Sequence, residues 1–335
     1  MSSLDAHERP PEDLKAVFKY YQQLSLENLA ADTCFIQGYS SSPGSASTLP
    51  KVVRLINTAK LHFGSETQDQ QLQRQVLEWP DLPGLHFIPG LLSQETQLQL
   101  LSLLLHRDLA NPQHQTNLHK HFILPYHLIE AGKSGEAKSF FSIDPALPEL
   151  IHPHDPSIHK PFPFFQLLHK KLRWLTLGGQ YDWTSKVYPD EQPPSFPSDV
   201  SNLVQKAFPE MRPQAAIVNV YSPGDTLALH RDVSEASENG LVSISIGCEA
   251  VFITGLRSEN GLSKWRAFRL RSGDAIYMSG PSRYAWHGVA KILKDTCPDV
   301  IQSWPAGIED DVYSVWKNWM AGKRINLNIR QMFDE

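Results

Sequence analysis

The sequence is poor in cysteine, and the few cysteines it has lie far apart. Cys34, Cys248 and Cys297 are the three cysteines among 335 residues, so neither a disulfide framework nor a Cys-x-x-Cys motif can be written. This excludes a secreted disulfide scaffold and a cysteine-based zinc knuckle, and it favours a reducing, intracellular compartment. We expect the nucleus or the cytoplasm, with the mitochondrion as the alternative.

Long apolar runs and an excess of positive charge are also missing. No stretch reaches the ~18 apolar residues of a membrane span. The acidic N-terminus, with Asp5, Glu8 and Glu12, lacks the apolar core of a secretory signal. The 31 Lys and Arg residues against 36 Asp and Glu residues give a net charge of −5, which excludes a polybasic protein but not a nucleic-acid enzyme with one basic face. We expect a monomer without membrane contact.

Helical and loop patterns dominate the N-terminal half. Apolar residues at helical spacing predict an amphipathic helix over residues 12–30, and the Ser/Gly/Pro-rich residues 38–51 predict a linker. Residues 52–78 are charged and Gln-rich, and no element is assigned to them. A short strand at residues 85–88 then precedes a helix that Ser93 caps.

Short β-rich runs fill the C-terminal half. They are residues 215–221, 226–232, 241–252, 267–270, 275–279 and 324–330. Short strands with turn signals at this spacing predict a sandwich or a jelly roll. Residues 309–321 predict a helix that Gly322 ends.

The triplet His-x-Asp occurs twice, and local structure decides which copy can bind a metal ion. His106 and Asp108 end a predicted helix, where positions i and i+2 point roughly 200° apart. His230 and Asp232 lie on a predicted strand, where positions i and i+2 share a face. We therefore expect the second copy to supply two metal ligands and the first copy to be unrelated to metal binding.

His287 is the candidate for a third ligand, because it follows the predicted strand 275–279 in the same β-rich half. Two imidazoles and one carboxylate leave three open positions on a metal ion. That set suits non-haem iron(II), which must also bind a cosubstrate and oxygen. The alternative is that His230 and His287 are merely polar residues at strand ends.

The predicted strand 324–330 carries two arginines and two asparagines on one face. Its period of two places Arg324, Asn326, Asn328 and Arg330 on the same side. Burying two arginines is costly unless anions neutralise them, and a bound dicarboxylate would do so through guanidinium contacts. The alternative is an exposed sheet face with solvated arginines. Asn219 and Tyr221, on the strand before the second His-x-Asp triplet, could supply hydrogen bonds to the same ligand.

Taken in order, these motifs resemble those of the AlkB-type Fe(II)/2-oxoglutarate dioxygenases. The shared motifs are Asn219-x-Tyr221, Pro223-Gly224, His230-x-Asp232, Ser272-Gly273-Asp274, Ser279-Gly280, His287-Gly288-Val289 and Arg324-x-Asn326-x-x-x-Arg330. Farther upstream, residues 172–178, Tyr181-Asp182-Trp183, Tyr188 and Pro197-Ser198-Asp199 resemble the AlkB homologue 1 branch in particular. The resemblance covers approximately residues 84–333.

The resemblance implies a fold, a set of cofactors and roles for named residues. The fold would be α+β and mainly β, a double-stranded β-helix (jelly-roll) core with flanking N-terminal helices. Fe(2+), 2-oxoglutarate as cosubstrate and O2 are the expected cofactors. The iron ligands would be His230, Asp232 and His287. The groups around 2-oxoglutarate would be Arg324 and Arg330, assisted by Asn219, Tyr221 and Asn326. Which arginine takes which carboxylate stays open.

The resemblance also implies oxidative demethylation of N-methylated nucleobases in RNA or DNA, with tRNA preferred. The hydroxylated methyl group would leave as formaldehyde, and the target base must be unpaired or flipped out of its stack. Tyr181, Trp183 and Tyr188 are expected to wall a base slot, whereas Trp174 is assigned to packing. The alternative is that these aromatic residues only staple a neighbouring helix.

On this basis the chain divides into three regions. Residues 1–83 would be a helical extension with a flexible linker, residues 84–210 the helical support and nucleobase lid, and residues 211–335 the jelly-roll core. A local excess of +4 occurs over residues 160–186 and again over residues 257–271. Either run could bind phosphate, and scattered surface charge is the alternative.

Two other functions share this set of residues. A 2-oxoglutarate-dependent protein hydroxylase would keep every iron and cosubstrate residue and differ only in its substrate lid. A catalytically silent binding module of the same fold is the alternative outside enzymes, and the intact ligand set argues against it.

Overall fold

The structure is a computed structural model, and most of its strands belong to two sheets. It describes residues 4–32, 34–37, 49–63, 73–130, 139–183, 187–189, 191–258, 261–306 and 312–334. The strands are β1 (Phe35–Ile36), β2 (Lys51–Asn57), β3 (Gln73–Trp79), β4 (Leu82–Ile88), β5 (Leu150–Ile151), β6 (Phe162–Pro163), β7 (Trp174–Gly178), β8 (Ala215–Tyr221), β9 (Leu227–His230), β10 (Leu241–Gly247), β11 (Ala250–Arg257), β12 (Ser263–Leu270), β13 (Ala275–Met278), β14 (Trp286–Ile292) and β15 (Arg324–Arg330).

The helical elements are short, and along the chain they precede or connect the strands. The α-helices are α1 (Glu12–Gln23), α2 (Leu26–Ala31), α3 (Gln94–Ser102), α4 (Tyr126–Glu130), α5 (Phe164–Gln166), α6 (Ser198–Ala207) and α7 (Asp299–Gln302). A π-helical turn follows α3 at Leu103–Asp108, and another follows α5 at Leu167–Lys171. Single 3-10 turns cover Thr58–Lys60, Phe140–Ser142, Gly280–Tyr284, Ser314–Trp316 and Trp319–Gly322. Within the described ranges, no helix combines the length and the apolar character needed to cross a membrane.

The larger sheet has the strand order β2-β3-β4-β13-β10-β15-β8-β7, and the smaller sheet has the order β1-β12-β11-β14-β9. Alternate side chains of both sheets enter one apolar core. The rings of Phe87 on β4 and Phe268 on β12, for example, lie 5.3 Å apart. This packing buries β15 in the middle of the larger sheet and leaves β9 at the edge of the smaller one.

Helix α1 covers the outer face of the smaller sheet. Leu14 and Tyr21 of this helix are fully buried in a second apolar cluster, together with Val251 and Ile253 of β11. Phe252 lies between those two strand residues and belongs to the main core instead, as the period of two along a strand requires. Helix α1 therefore fixes the N-terminal region on the sheet that carries His230.

The expected mainly β jelly-roll core with N-terminal helices is confirmed, and several predicted elements match closely. Strands β8 and β15 have the predicted bounds. Ser93 caps α3 by accepting a hydrogen bond from the backbone nitrogen of Thr96 at 3.1 Å. The division of the chain into three regions stays a prediction.

Other predicted elements are wrong in their bounds. The helix expected over residues 12–30 is interrupted, because Leu24 is extended and Ser25 caps a new helix. Residues 52–78, to which no element was assigned, contribute β2 and β3. The long run 241–252 is two strands, since Gly247 takes a positive φ of 91° and turns the chain.

Two further differences concern the C-terminal half and the linker. The helix expected over residues 309–321 is replaced, in its described part, by 3-10 turns, because Asn318 adopts the left-handed conformation with φ 65°. Residues 309–311 lie outside the described residues, as do residues 38–48 of the predicted linker.

Candidate active site

His230 and His287 are brought together by strand pairing. They are direct partners in the antiparallel ladder between β9 and β14. Side chains of directly opposed residues lie on the same face of a sheet, about 4.5–5.5 Å apart at Cβ. The two imidazole rings are accordingly 4.4 Å apart.

Asp232 completes a group of three possible metal ligands. One carboxylate oxygen lies 3.8 Å from Nε2 of His230, and the other lies 3.8 Å from Nε2 of His287. All three ligand atoms lie within 4.8 Å of one another. Strand β9 ends at His230, so the expectation that Asp232 shares a strand face with His230 is wrong. The loop after β9 brings the carboxylate to the same place.

Both imidazoles are held in the form that a metal ion requires. The Nδ1 atom of His230 lies 2.9 Å from the carbonyl oxygen of Ala228, and that of His287 lies 3.0 Å from the carbonyl oxygen of Ala285. A carbonyl can only accept, so each Nδ1 carries a hydrogen and each Nε2 is the ring nitrogen left to face a metal ion. Burial lowers the pKa of His287 to about 4, so its ring is neutral at pH 7.

The Asp232 carboxylate is held in its charged form. Burial by itself would raise its pKa, but the charge of the Arg330 guanidinium and its hydrogen bond act against that effect, and the pKa lies well below the ordinary value. The Nη2 atom of Arg330 donates to Oδ2 of Asp232 at 2.8 Å, and the side-chain nitrogen of Asn328 donates to the same oxygen at 3.3 Å. An ionised carboxylate beside two imidazoles is a suitable donor set for a divalent metal.

The residues present fit an iron(II) ion. Two neutral imidazoles and one carboxylate form the facial donor set that non-haem iron(II) oxygenases use. The buried Nε2 of His287 has no hydrogen-bond partner among the described residues, and a metal ion would satisfy it. No other group of three or more His, Cys, Asp or Glu side chains in the described ranges converges in this way.

A second buried network supports Asp232 from behind. Arg330 also approaches Glu235, with 3.3 Å between Nε and Oε1, and the other oxygen of Glu235 accepts from Nη2 of Arg283 at 2.9 Å. Arg283 further donates to the backbone oxygen of Asp232 at 2.7 Å. The side chains of Glu235 and Arg283 are each only 2% exposed, so each charge is stabilised by its partner rather than by water.

The polar face of β15 is buried, which excludes the alternative of a solvated sheet face. Arg324 is 1% exposed and donates to Ser245 Oγ at 2.7 Å. Its Nε atom has no hydrogen-bond partner among the described residues, and the same holds for the hydroxyl of Tyr221. Tyr221 is the direct partner of Arg324 in the ladder, and Asn219 is that of Asn326. Two neighbouring buried groups with unused donors mark a place for an acidic ligand.

A cavity of about 210 Å³ opens beside two of the three candidate ligands, His230 and Asp232. Tyr181 and Trp183 line it, with His230, Asp232 and Arg330. The two aromatic rings meet edge to face with 5.0 Å between their centres, and Trp183 is 41% exposed. These two aromatic side chains therefore lie next to His230 and Asp232.

Tyr188 has a different position from Tyr181 and Trp183. It lines an adjacent, larger cavity of about 580 Å³, and its hydroxyl donates to Glu235 at 3.2 Å. Its ring touches that of Tyr181, with 5.2 Å between the centres. Tyr188 thus supports the wall behind Tyr181. Trp174 packs against Trp183, with 5.6 Å between the ring centres.

Comparison with known proteins agrees with this geometry. The family model described as the 2OG-Fe(II) oxygenase superfamily matches residues 84–330. The chain belongs to the 2OG-Fe(II) oxygenase superfamily. It is therefore an Fe(II)- and 2-oxoglutarate-dependent dioxygenase, whose cofactors are Fe(II), 2-oxoglutarate and O2.

Relatives with known names confirm the resemblance to the AlkB type. The dioxygenase is 43% identical to the N6-methyladenosine RNA demethylase ALKB1 of Pyricularia oryzae, over 99% of this chain and 98% of that relative. It is 51% identical to the N6-methyladenosine RNA demethylase ALKBH of Cryphonectria parasitica, over 65% of this chain and 100% of that relative. It is 34% identical to the tRNA demethylase abh1 of Schizosaccharomyces pombe, over 86% and 91% of the two chains.

The two basic runs are less basic in the folded dioxygenase than along the sequence. In the second run, Arg266 pairs with Asp81, and Arg269 pairs with Glu249, because distant acidic residues fold beside them. In the first run Arg173 pairs with Asp225, yet the arginine side chain is 50% exposed. Lys186 lies outside the described residues. The first run contains Trp174, and it is the run that lies next to the aromatic cavity.

Sequence reasoning missed Glu235 and Arg283. Glu235 follows Asp232 by three positions in a loop, where no periodicity indicates a direction. Arg283 lies in the 3-10 turn just before β14 and is only 1% exposed. The available signal was that each residue lies close in sequence to a candidate ligand. Closeness in sequence does not by itself indicate an ion pair.

The upstream His106-Arg107-Asp108 triplet is expected to play no part in metal binding. The Nδ1 atom of His106 lies 2.7 Å from Ser139 Oγ, whereas Asp108 pairs with Arg107. We expect His230→Ala to abolish binding of Mn(II), a stand-in for iron(II), in isothermal titration calorimetry. We expect His106→Ala to keep wild-type affinity, with thermal melting as the control for folding. Equal losses in both variants would contradict this assignment.

Removal of Glu235 is expected to destabilise the fold strongly. Glu235→Ala leaves the buried Arg283 and Arg330 without their shared anion, and breaking a buried pair in this way costs about 3–5 kcal/mol of unfolding free energy. Glu249→Ala is the matched control, because its partners Arg269 and Arg271 are partly exposed, and it should cost about 1 kcal/mol or less. Urea unfolding of both variants measures the difference in unfolding free energy. Similar losses would show that the buried network stabilises the fold no more than a partly exposed ion pair does.

Proposed function

We propose that this dioxygenase oxidatively demethylates N-methylated nucleobases in nucleic acid, with tRNA preferred among its substrates, and releases formaldehyde. The observation that carries the proposal is one cavity that is lined both by two of the candidate metal ligands, His230 and Asp232, and by Tyr181 and Trp183. The free cysteines are in keeping with an intracellular protein of the nucleus or the cytoplasm.

The metal ligands would be His230, Asp232 and His287. When bound, iron(II) supplies the redox chemistry, in which O2 oxidises a substrate C–H bond while 2-oxoglutarate is converted to succinate and carbon dioxide. The chain contributes the Nε2 atoms of two imidazoles and one carboxylate, and Arg330 keeps that carboxylate ionised. An N-methyl group oxidised to the hydroxymethyl level loses formaldehyde and leaves the N–H base.

The cosubstrate would lie between the metal ligands and Arg324. Arg324 has no salt-bridge partner among the described residues, and burial lowers its pKa to about 10, so it remains a cation at neutral pH. Arg330 is already paired with Asp232 and Glu235. We therefore assign the 2-oxoglutarate carboxylate remote from the metal to Arg324 and Tyr221, with Asn219 and Asn326 beside them.

The size and the chemistry of the cavity support a single flat base as the substrate group. Its volume of about 210 Å³ is below the ~300–1,000 Å³ typical of pockets for drug-sized ligands. A base pair would not fit, so the target base must be unpaired or flipped. The Tyr181 hydroxyl lies 3.4 Å from Ser234 Oγ, and these two groups offer the base edge neutral hydrogen-bonding partners.

The names of two relatives support RNA as the substrate polymer. One relative is named an N6-methyladenosine RNA demethylase and another a tRNA demethylase. Near the aromatic cavity, Lys120 pairs with Asp182 and Arg173 pairs with Asp225, and both cationic side chains are at least half exposed. Such groups can exchange a carboxylate for a phosphate of the nucleic acid.

The direct test is mass spectrometry of nucleosides. Iron-loaded protein with 2-oxoglutarate is incubated with total tRNA, with methylated single-stranded RNA and with genomic DNA, and loss of each methylated nucleoside is followed together with formaldehyde. Loss from tRNA before DNA is the expected result. Succinate production that only a protein extract stimulates would instead favour the protein hydroxylase.

Arg324→Ala is expected to weaken binding of the cosubstrate. A buried charge-assisted hydrogen bond to a carboxylate is worth about 1.5–3 kcal/mol, so the KM for 2-oxoglutarate should rise ~10-fold or more. Metal affinity should stay within about two-fold, because Arg324 touches none of the three ligands. Arg324→Lys should not restore the KM, since an ammonium lacks the planar fork.

Arg330→Ala is the comparison for this prediction. Arg330 contacts Asp232, so its loss should lower metal affinity as well as succinate production. Succinate assays over a range of 2-oxoglutarate concentrations and Mn(II) titrations separate the two variants. An unchanged KM in Arg324→Ala would show that Arg324 is structural.

Trp183→Ala is expected to reduce demethylation more than it reduces cosubstrate turnover. A stacked base is worth about 1–3 kcal/mol, so kcat/KM for a methylated oligonucleotide should fall ~10-fold or more. Phe165→Ala is the matched control, because Phe165 is also a partly exposed aromatic residue but does not line the cavity. An equal fall in both variants would place the base slot elsewhere.

A further inference from the structure

The N-terminal segment of residues 4–10, here called the strap, reaches the substrate cavity. Ala6 lines the same cavity as His230, Asp232, Tyr181 and Trp183. The family match begins only at residue 84, so this wall comes from outside the catalytic domain of the superfamily. The catalytic domain alone thus leaves the cavity open on the side of Ala6.

An ion pair joins the strap to the loop that carries the candidate metal ligands. The guanidinium of Arg231, which lies between His230 and Asp232 in the sequence, pairs with the carboxylate of Glu8. The same guanidinium lies 3.5 Å from the backbone oxygen of Asp5.

Arg231 has a fixed position from which to hold the strap. Its guanidinium lies over the ring of Trp286, 4.8 Å from the ring centre, and its side chain is 11% exposed. Trp286 is the first residue of β14 and is directly followed by His287. The contact therefore ties residues 5 and 8 to the frame of the metal centre.

Helix α1, which follows the strap, is anchored independently. Asp13, in the first turn of α1, accepts hydrogen bonds from the backbone nitrogen of Ser263 at 2.6 Å and from its hydroxyl at 3.1 Å. Leu14 is fully buried against the outer face of the smaller sheet. Because Arg231 contacts both the Glu8 carboxylate and the Asp5 backbone, and α1 is fixed on the sheet, Ala6 has little freedom to leave the cavity.

We propose that the strap is a specificity-determining wall of the substrate slot, held in place by the pair of Glu8 with Arg231. With the strap in place the cavity admits one unpaired base, and without it the slot loses a wall and its grip on the base. The inference rests on the proposed function for the identity of the substrate. The position of the strap and its pairing with Arg231 do not depend on that function.

The test uses variants of the full-length protein. Glu8→Ala removes the pair, Glu8→Arg replaces it with a repulsion, and Ala6→Trp fills the cavity from the strap side. Glu12→Ala is the matched control, because it removes the exposed ion pair of Glu12 with Lys15 a short distance along the chain. Thermal melting checks folding, and the double variant Glu8→Arg, Arg231→Glu tests rescue by exchange of charges.

The expected changes fall on the nucleic-acid substrate. Loss of a partly exposed ion pair should raise the KM for a methylated single-stranded oligonucleotide about three- to five-fold in Glu8→Ala. The rise should be larger in Glu8→Arg and partly reversed in the double variant. Ala6→Trp should raise this KM most. The KM for 2-oxoglutarate should change less than the oligonucleotide KM in every variant, and Glu12→Ala should match wild type.

Hydrogen exchange of the amides of residues 5–9 provides a readout without catalysis. Faster exchange in Glu8→Ala, together with the rise in KM, would support the proposal. Faster exchange with an unchanged oligonucleotide KM would overturn it, and so would a lower KM or a higher kcat, which would mean that the strap obstructs the slot.

Failure of the proposed function would look different. In that case wild type would demethylate no nucleic acid, and affinity of the Mn(II)-loaded protein for an unmethylated oligonucleotide replaces KM as the readout. Weaker binding in Glu8→Ala than in Glu12→Ala would still support the strap as a wall. Equal or absent binding in all variants would overturn the strap as well.

Discussion

The contact between the Arg330 guanidinium and the Asp232 carboxylate is the interaction on which the active site depends. A carboxyl group buried as deeply as that of Asp232 would otherwise take up a proton and lose its value as a metal ligand. Arg330 contacts it at 2.8 Å and keeps it ionised, and Glu235 in turn pairs with both Arg330 and Arg283. Since β15 and β9 belong to different sheets, this network also joins the two layers at the metal centre.

The topology of the two sheets explains how metal ligands, a buried polar strand face and aromatic side chains come to lie close together. The edge strand β9 and its partner β14 present one imidazole each, whereas the central strand β15 presents a buried polar face. Tyr181 and Trp183 close the opening beside them. A buried polar strand face and two aromatic side chains therefore flank the candidate metal ligands.

Regions outside the matched catalytic domain complete this arrangement. Strands β2 and β3 extend the larger sheet, and α1 covers the smaller one. The strap continues from α1 to the substrate cavity and reaches Arg231 between two candidate ligands. The same N-terminal region that stabilises the outer face of the sheet can thus shape the opening of the slot.

The sequence by itself determined what depends on local pattern. Strand periodicity predicted β8, β15 and the shared face of Arg324 and Arg330, and motif order indicated the three candidate ligands. Tertiary structure alone decided that the polar face is buried, that Asp232 reaches the site from a loop, and that Tyr188 lines a neighbouring cavity. It also decided the partners Glu235, Arg283 and Glu8. Periodicity describes neighbours along one element, whereas burial and ion pairing depend on contacts between residues that only folding brings together.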